Sequence, residues 1–202
     1  MCARQRFLAM GRLVPFSLTL VHYEENDALG WMLSLVTLSP VFIMVSYVTL
    51  LVALRFPPRL VLVLCGQLAC VALNLVLKRL LRQPRPEGPQ VLHLGQHGMP
   101  SNHAMFMGYA GCFVVCAAAR GGRAWQVGGS DPLGSPRLVA AALVTLSLLV
   151  AFSRFYLGYH TAEQVYVGLA VGALFGAFWH ELCLLLLRTP ALRGLLAPGK
   201  TN

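Results

Sequence analysis

Apolar residues dominate this chain in five long stretches, and the charges and prolines collect in the short segments between them. The stretches cover residues 33–54, 60–81, 103–119, 138–157 and 165–187. A helix needs about 20 mostly apolar residues to cross the hydrocarbon of a bilayer. The first, second and fifth stretches meet that need. The third is short and must borrow flanking residues, and the fourth is long enough only if it takes in Ser153 and Arg154. The pattern predicts an all-α, polytopic membrane helical bundle of about five spans. It predicts one integral-membrane domain over residues 1–202, with no soluble domain, internal repeat or low-complexity tract. Residues 1–32 read as an interfacial N-terminal lead-in, because Arg12 and Pro15 interrupt any signal-peptide core. Residues 188–202 read as a polar tail, and the Gly- and Pro-rich residues 120–137 as a loop.

Composition sharpens this picture. The chain is 57% hydrophobic and 11% charged, whereas soluble domains carry about 25% charged residues. The net charge of +9 does not point to nucleic acid, because the basic residues sit in short clusters and not on a long polar face. Ordinary positive-inside topology accounts for about half of that charge. The six cysteines show no metal-ligand spacing, and all but Cys2 lie in apolar stretches, where thiols act as small hydrophobes.

Five spans place the connections alternately on two sides. One side holds Arg55, Arg59, Arg120, Arg123, Arg137, Arg188, Arg193 and Lys200, with Asp131 and with Glu181 near a span end. The other holds the acids Glu24, Glu25, Asp27, Glu87 and Glu163. Basic loops stay cytoplasmic, so this second side is expected to be lumenal or external. Arg4, Arg6 and Arg12 run against that orientation, unless their segment spans or re-enters the membrane.

Candidate chemistry gathers on the second side. Lys78-Arg79-Leu80-Leu81-Arg82-Gln83-Pro84-Arg85-Pro86 ends the second stretch, and Pro100-Ser101-Asn102-His103 opens the third. Ser153-Arg154, followed by His160, joins the fourth to the fifth. Unpaired cations at a membrane edge are costly and mark a site for an anion. Lys78 is expected two turns inside its helix. Pro84 and Pro86 hold Arg85 outside it, where the guanidinium can point back over the helix end. Arg offers a planar fork to phosphate oxygens and Lys a point charge. Snorkelling and headgroup contacts would explain this first segment about equally well. Ser101 is a natural N-cap, and the free amides behind it form a phosphate cradle beside His103. Gly158 permits a turn, Tyr156 and Tyr159 suit an interfacial belt, and His160 can then face His103. A neutral imidazole is a competent nucleophile, and a second histidine can protonate the leaving oxygen. The cations would stabilise the transferring phosphoryl group in place of a metal.

Lys78-x6-Arg85-Pro86, Pro100-Ser101-x-His103 and Ser153-Arg154-x5-His160 resemble the three signatures of the type 2 phosphatidic acid phosphatase superfamily. The resemblance implies a helical bundle, a phosphohistidine intermediate, and no metal or other cofactor. It implies that His160 is the nucleophile and His103 the general acid. It makes Lys78, Arg85, Ser101, Asn102 and Arg154 the phosphate-binding set. Two positions depart from the usual signatures: Asn102 stands where glycine is usual, and Gln164 where an aspartate orients the nucleophile. Both departures resemble the dolichyl diphosphate phosphatase branch. So do Tyr23-Glu24-Glu25-Asn26-Asp27, Leu38-Ser39-Pro40-Val41-Phe42 and Ser153-Arg154-Phe155-Tyr156-Leu157-Gly158-Tyr159-His160-Thr161. That branch implies a polyprenyl (dolichyl) diphosphate substrate, the endoplasmic reticulum membrane with a lumen-facing site, and recycling of the lipid carrier for protein N-glycosylation. The partners expected are that lipid and the membrane, not nucleic acid.

Gln164 lies one turn after His160 on the same helical face, so its amide oxygen can fix the ring tautomer. Glu163 reads as a solvated interfacial acid. The alternatives are a phosphatase for phosphatidate or another isoprenyl diphosphate, and a non-catalytic lipid-binding or transport relative. Retention of both His103 and His160 speaks against the last.

Overall fold

The computed structural model describes residues 13–16, 21–88, 96–120 and 135–189. Its elements are a hairpin, β1 (Leu13–Phe16) with β2 (Val21–Glu24), and then six helices. The helices are α1 (Ala28–Val36), α2 (Ser39–Ala53), α3 (Pro58–Leu81), α4 (Asn102–Ala119), α5 (Pro136–Tyr156) and α6 (Ala162–Leu186). With α1 and α2 taken together as Ala28–Ala53, five units are long and apolar enough to cross a membrane. They fall on the five apolar stretches of the sequence. Their outer faces carry large exposed apolar side chains, such as Phe42, Val45, Leu138, Leu148, Leu174 and Phe178. A soluble protein would hide such residues, and a bilayer covers them.

The first unit differs from the single helix expected over residues 33–54. It starts at Ala28, inside the expected lead-in, and breaks around Thr37 and Leu38. Pro40 is the cause, since it has no amide hydrogen for the carbonyl four residues back. That carbonyl, Val36 O, is taken instead by Ser39 Oγ at 2.6 Å. The lead-in also forms an element that hydropathy did not indicate. β1 and β2 pair antiparallel, from Leu13 opposite Glu24 to Phe16 opposite Val21. Val21 then packs with Leu33, Leu157 and Tyr159 in a small apolar cluster. The hairpin is therefore seated on the turn between α5 and α6.

α4 is the shortest span and the most enclosed. It packs against α3, α5 and α6. Met105, Tyr109, Ala110 and Phe113 on α4 join Cys70 of α3 and Cys183 of α6 in the main core. A spanning segment must satisfy its polar groups internally. Three cross-helix bonds do so here: Tyr109 Oη donates to Val63 O at 2.9 Å, Trp179 Nε1 to Leu62 O at 2.9 Å, and Ser147 Oγ to Met107 O at 3.0 Å. The closest approach is between α4 and α6. A Cβ on Gly168 would lie 2.8 Å from Ser101 O, and one on Gly176 would lie 2.6 Å from Tyr109 O. One on Gly172 would run into Met105 O. Small residues let membrane helices approach backbone to backbone in this way.

Candidate active site

All three signature segments meet at one end of the bundle. α3 ends when Arg82 adopts a left-handed conformation, φ 49°. Lys78 lies in the last turn of α3, closer to its end than the two turns expected. Its Nζ donates to His97 O at 3.3 Å. Beyond the turn, Arg85 reaches away from its own helix. Its Nη1 donates to Tyr159 O at 3.2 Å and lies 3.1 Å from His160 Nε2.

Ser101 is the N-cap residue of α4, but its side chain makes no capping bond. The hydroxyl is buried without a partner, whereas its backbone N–H donates to Gln164 O at 2.9 Å. His103 sits in the first turn, within electrostatic reach of Arg154, His160, Arg85 and Lys78. Asn102, the first residue of α4, is exposed. Asn74 of α3, which sequence reasoning passed over, donates to Pro100 O at 3.2 Å and so ties the second segment to the helix of the first.

α5 leads out through Gly158, whose φ of 71° suits a residue without a side chain. The amides of Tyr159 and His160 both donate back to Arg154 O, at 3.1 and 3.2 Å. Tyr159 does not sit in an interfacial belt as expected. It is 3% exposed, whereas Tyr156 is 41% exposed. Its ring lies under the Arg154 guanidinium, 4.1 Å from Cζ to centroid. Arg154 is itself buried, with Nη1 donating to Thr37 Oγ1 at 3.0 Å and Nε lacking any partner. Unpartnered buried donors are rare. Ser101 Oγ and Arg154 Nε would both be satisfied by an anion.

α6 begins with a capping box. Thr161 Oγ1 accepts from Gln164 N at 3.3 Å, and Gln164 Oε1 from Thr161 N at 3.4 Å. Of the two neighbours weighed in the sequence, Gln164 is the one whose side chain lies at the imidazole. Its Oε1 is 3.0 Å from His160 Nδ1. Glu163 is exposed, 3.5 Å from Gln83 Nε2. Gln164 also donates through Nε2 to Pro84 O at 2.7 Å and to Gln83 Oε1 at 3.3 Å. One residue thus bonds to the first segment by its amide nitrogen, to the second by its backbone and to the third by its amide oxygen.

These bonds settle the ring's protonation. A guanidinium only donates, so His160 Nε2 accepts from Arg85 and the ring hydrogen is on Nδ1. Nδ1–H then donates to Gln164 Oε1. The amide cannot be turned over, because Pro84 O needs a donor. Burial, then the charges of Arg85 and Arg154, pushes the His160 pKa down to about 3. The ring is neutral at physiological pH, with its lone pair on Nε2 turned toward Arg85, among cations. That is the state of a nitrogen nucleophile facing an anionic electrophile.

Comparison with known proteins identifies the family. The PAP2 superfamily model matches residues 59–185. The dolichyldiphosphatase of Saccharomyces cerevisiae is 31% identical over 83% of this chain and 69% of its own. The human dolichyldiphosphatase 1 is 32% identical over 82% of this chain and 69% of its own. The lipid phosphate phosphatase gamma of Arabidopsis thaliana is 30% identical over 83% of this chain and 73% of its own. In fold, the chain is similar to the crystal structure of a transmembrane PAP2-type phosphatidylglycerolphosphate phosphatase from Bacillus subtilis. The TM-score is 0.66 over 81% of both chains, at 20% identity. The chain belongs to the PAP2 superfamily and is a multi-span membrane lipid phosphatase of it.

Proposed function

We propose that this phosphatase hydrolyses a polyprenyl diphosphate, dolichyl diphosphate foremost, to the monophosphate and inorganic phosphate through a phosphohistidine at His160. The observation that carries the chemistry is the His160 ring, held by Gln164 on Nδ1 and turned toward Arg85 with Nε2. The lipid is inferred from the relatives named dolichyldiphosphatase. His160 Nε2 attacks the terminal phosphorus, and the bond to the bridging oxygen breaks. His103 gives its proton to that oxygen, and dolichyl phosphate leaves. His103 then takes a proton from water as the water oxygen attacks phosphorus. The P–N bond breaks and phosphate departs. Lys78, Arg85, Ser101 and Arg154 hold the three outer oxygens, with the α4 N-terminal amides behind Asn102. Positive side chains do here what a divalent cation does elsewhere, so no metal takes part. The excess of Arg and Lys in the opposite loops supports a site facing the lumen of the endoplasmic reticulum, where it would return the polyprenyl carrier after N-glycosylation.

The test is phosphate release by the purified protein in detergent, with chelator present, from dolichyl diphosphate, dolichyl phosphate and phosphatidate. Fastest release from the diphosphate, with inhibition by vanadate, is expected. Loss of all activity in chelator, restored by magnesium, would overturn the mechanism. Preference for phosphatidate would favour the second reading, a broader lipid phosphate phosphatase, which the name of the Arabidopsis relative supports.

Gln164 supplies a prediction of its own. Gln164→Ala strands Nδ1–H and should lower kcat/KM about ten- to a hundred-fold. Gln164→Asp presents a carboxylate to the ring and should shift the pH profile. His160 in the native site protonates only as pH falls through about 3. A nearby negative charge favours the imidazolium and raises that pKa, so the acid limb of kcat/KM should move to higher pH. The aspartate also loses the donor that Pro84 O requires, so the plateau should fall too. An unchanged acid limb would show that Gln164 does not act on the nucleophile.

A further inference from the structure

We propose that Thr37 is a positioning residue for Arg154, and that the N-terminal segment thereby completes the phosphate site. Thr37 lies outside the region matched by the family model, residues 59–185, as does the hairpin. The inference rests on the reading of Arg154 as a phosphate ligand.

Arg154 projects from the last turn of α5 into a cage made largely by other segments. Thr37 Oγ1 accepts from Nη1 at 3.0 Å, with both residues buried at 2% and 5% exposure. The Tyr159 ring supports the guanidinium from one face. Tyr159 is in turn held by the hairpin, because its hydroxyl accepts from His22 N at 2.8 Å. The same ring packs with Val21 of β2 and Leu33 of α1. A guanidinium has a fork of five donors in one plane. Fixing one edge on Thr37 and one face on Tyr159 sets where the remaining edge, including the unpartnered Nε, must point. The break between α1 and α2 puts the Thr37 hydroxyl at this position. An arginine so held is aligned before the substrate arrives, and that alignment is worth most in the transition state, when charge on the phosphoryl oxygens is greatest.

The test compares Thr37→Val and Thr37→Ser in the full-length protein, alone and combined with Arg154→Ala. Thr37→Val keeps shape and removes the acceptor. It should lower kcat about ten-fold and weaken vanadate inhibition by a similar factor, with a smaller change in KM. Thr37→Ser restores the hydroxyl and should restore both. On the Arg154→Ala background, Thr37→Val should have no further effect on residual turnover, because the group it positions is gone. A role only in folding would lower the yield and melting temperature, leave kcat and vanadate binding of the folded fraction alone, and persist beside Arg154→Ala. Should Thr37→Val not accumulate, Tyr159→Leu removes the other support and carries the same expectations. Normal vanadate inhibition in these variants, with a crippled Arg154→Ala, overturns this inference alone. Normal turnover in Arg154→Ala overturns the phosphate-site reading and this inference with it.

Discussion

His160→Ala will leave no measurable turnover and no acid-labile phosphoenzyme, while the protein keeps its fold. The side chain lies outside the spanning helices, in the turn before α6, and the bonds that hold that turn are made by backbone atoms and by Gln164. Removing the ring therefore removes Nε2 without unlacing the bundle. The remaining cations still bind an anion, so weak phosphate binding should persist in the inactive protein. His103→Ala should act differently. It removes a proton and leaves the attacking nitrogen in place, and its effect should scale with the basicity of the leaving oxygen. Diphosphates expel a phosphate oxygen, a weaker base than the alkoxide expelled by a monoester. The loss should thus be milder for dolichyl diphosphate than for phosphatidate. Rates with both substrates, and labelling from a radioactive diphosphate quenched in base and then tested for acid lability, check the pair. A fully active His160→Ala protein would end the covalent mechanism.

Gly172→Ala should be the most damaging single methyl added to the spans. Its new Cβ would meet the carbonyl oxygen of Met105 in the closest contact between α4 and α6. Backbone cannot rotate aside, so the helices must part. Overpacking of this kind costs about 1–3 kcal/mol and sometimes more. The larger effect should be on rate. α4 begins at Ser101 and His103, and α6 begins just after His160, so their spacing sets the distance between the two histidines. A shift of about 1 Å in catalytic geometry can lower a rate about a hundred-fold. Gly172→Ala should therefore lose turnover to about that degree and melt earlier in detergent. Leu174→Ala, on the exposed lipid face, should leave turnover unchanged. Equal behaviour of the two variants would show that the helix spacing has slack.

The spans were legible in the sequence because hydropathy is a property of each residue by itself. Their alternation then placed the three charged segments on one face before any contact was known. Gln164 could be weighed because it lies only four residues after His160, in the first turn of α6. The partners of Arg154 could not. Thr37 is 117 residues from Arg154, and His22 is 137 residues from Tyr159. Neither contact leaves a local pattern. The glycines of α6 recur every fourth residue in the sequence, but periodicity does not say which helix they meet. Tyr159 was misplaced for a related reason. An aromatic residue at a span end fits a bilayer interface equally well by composition, and only the hairpin seated above it puts it inside.

The contact between Arg85 and the His160 lone pair has a further meaning. A lone pair cannot serve two partners at once. While a guanidinium hydrogen occupies Nε2, that lone pair is masked, and uncharged esters drifting past in the lipid would find no exposed imidazole nitrogen. An arriving oxyanion, unlike a neutral ester, would compete for the guanidinium and could draw it off the ring. If His160 is the nucleophile, the visitor's own charge would unmask the atom that attacks it, and discrimination against neutral lipids would begin before a substrate is fully seated.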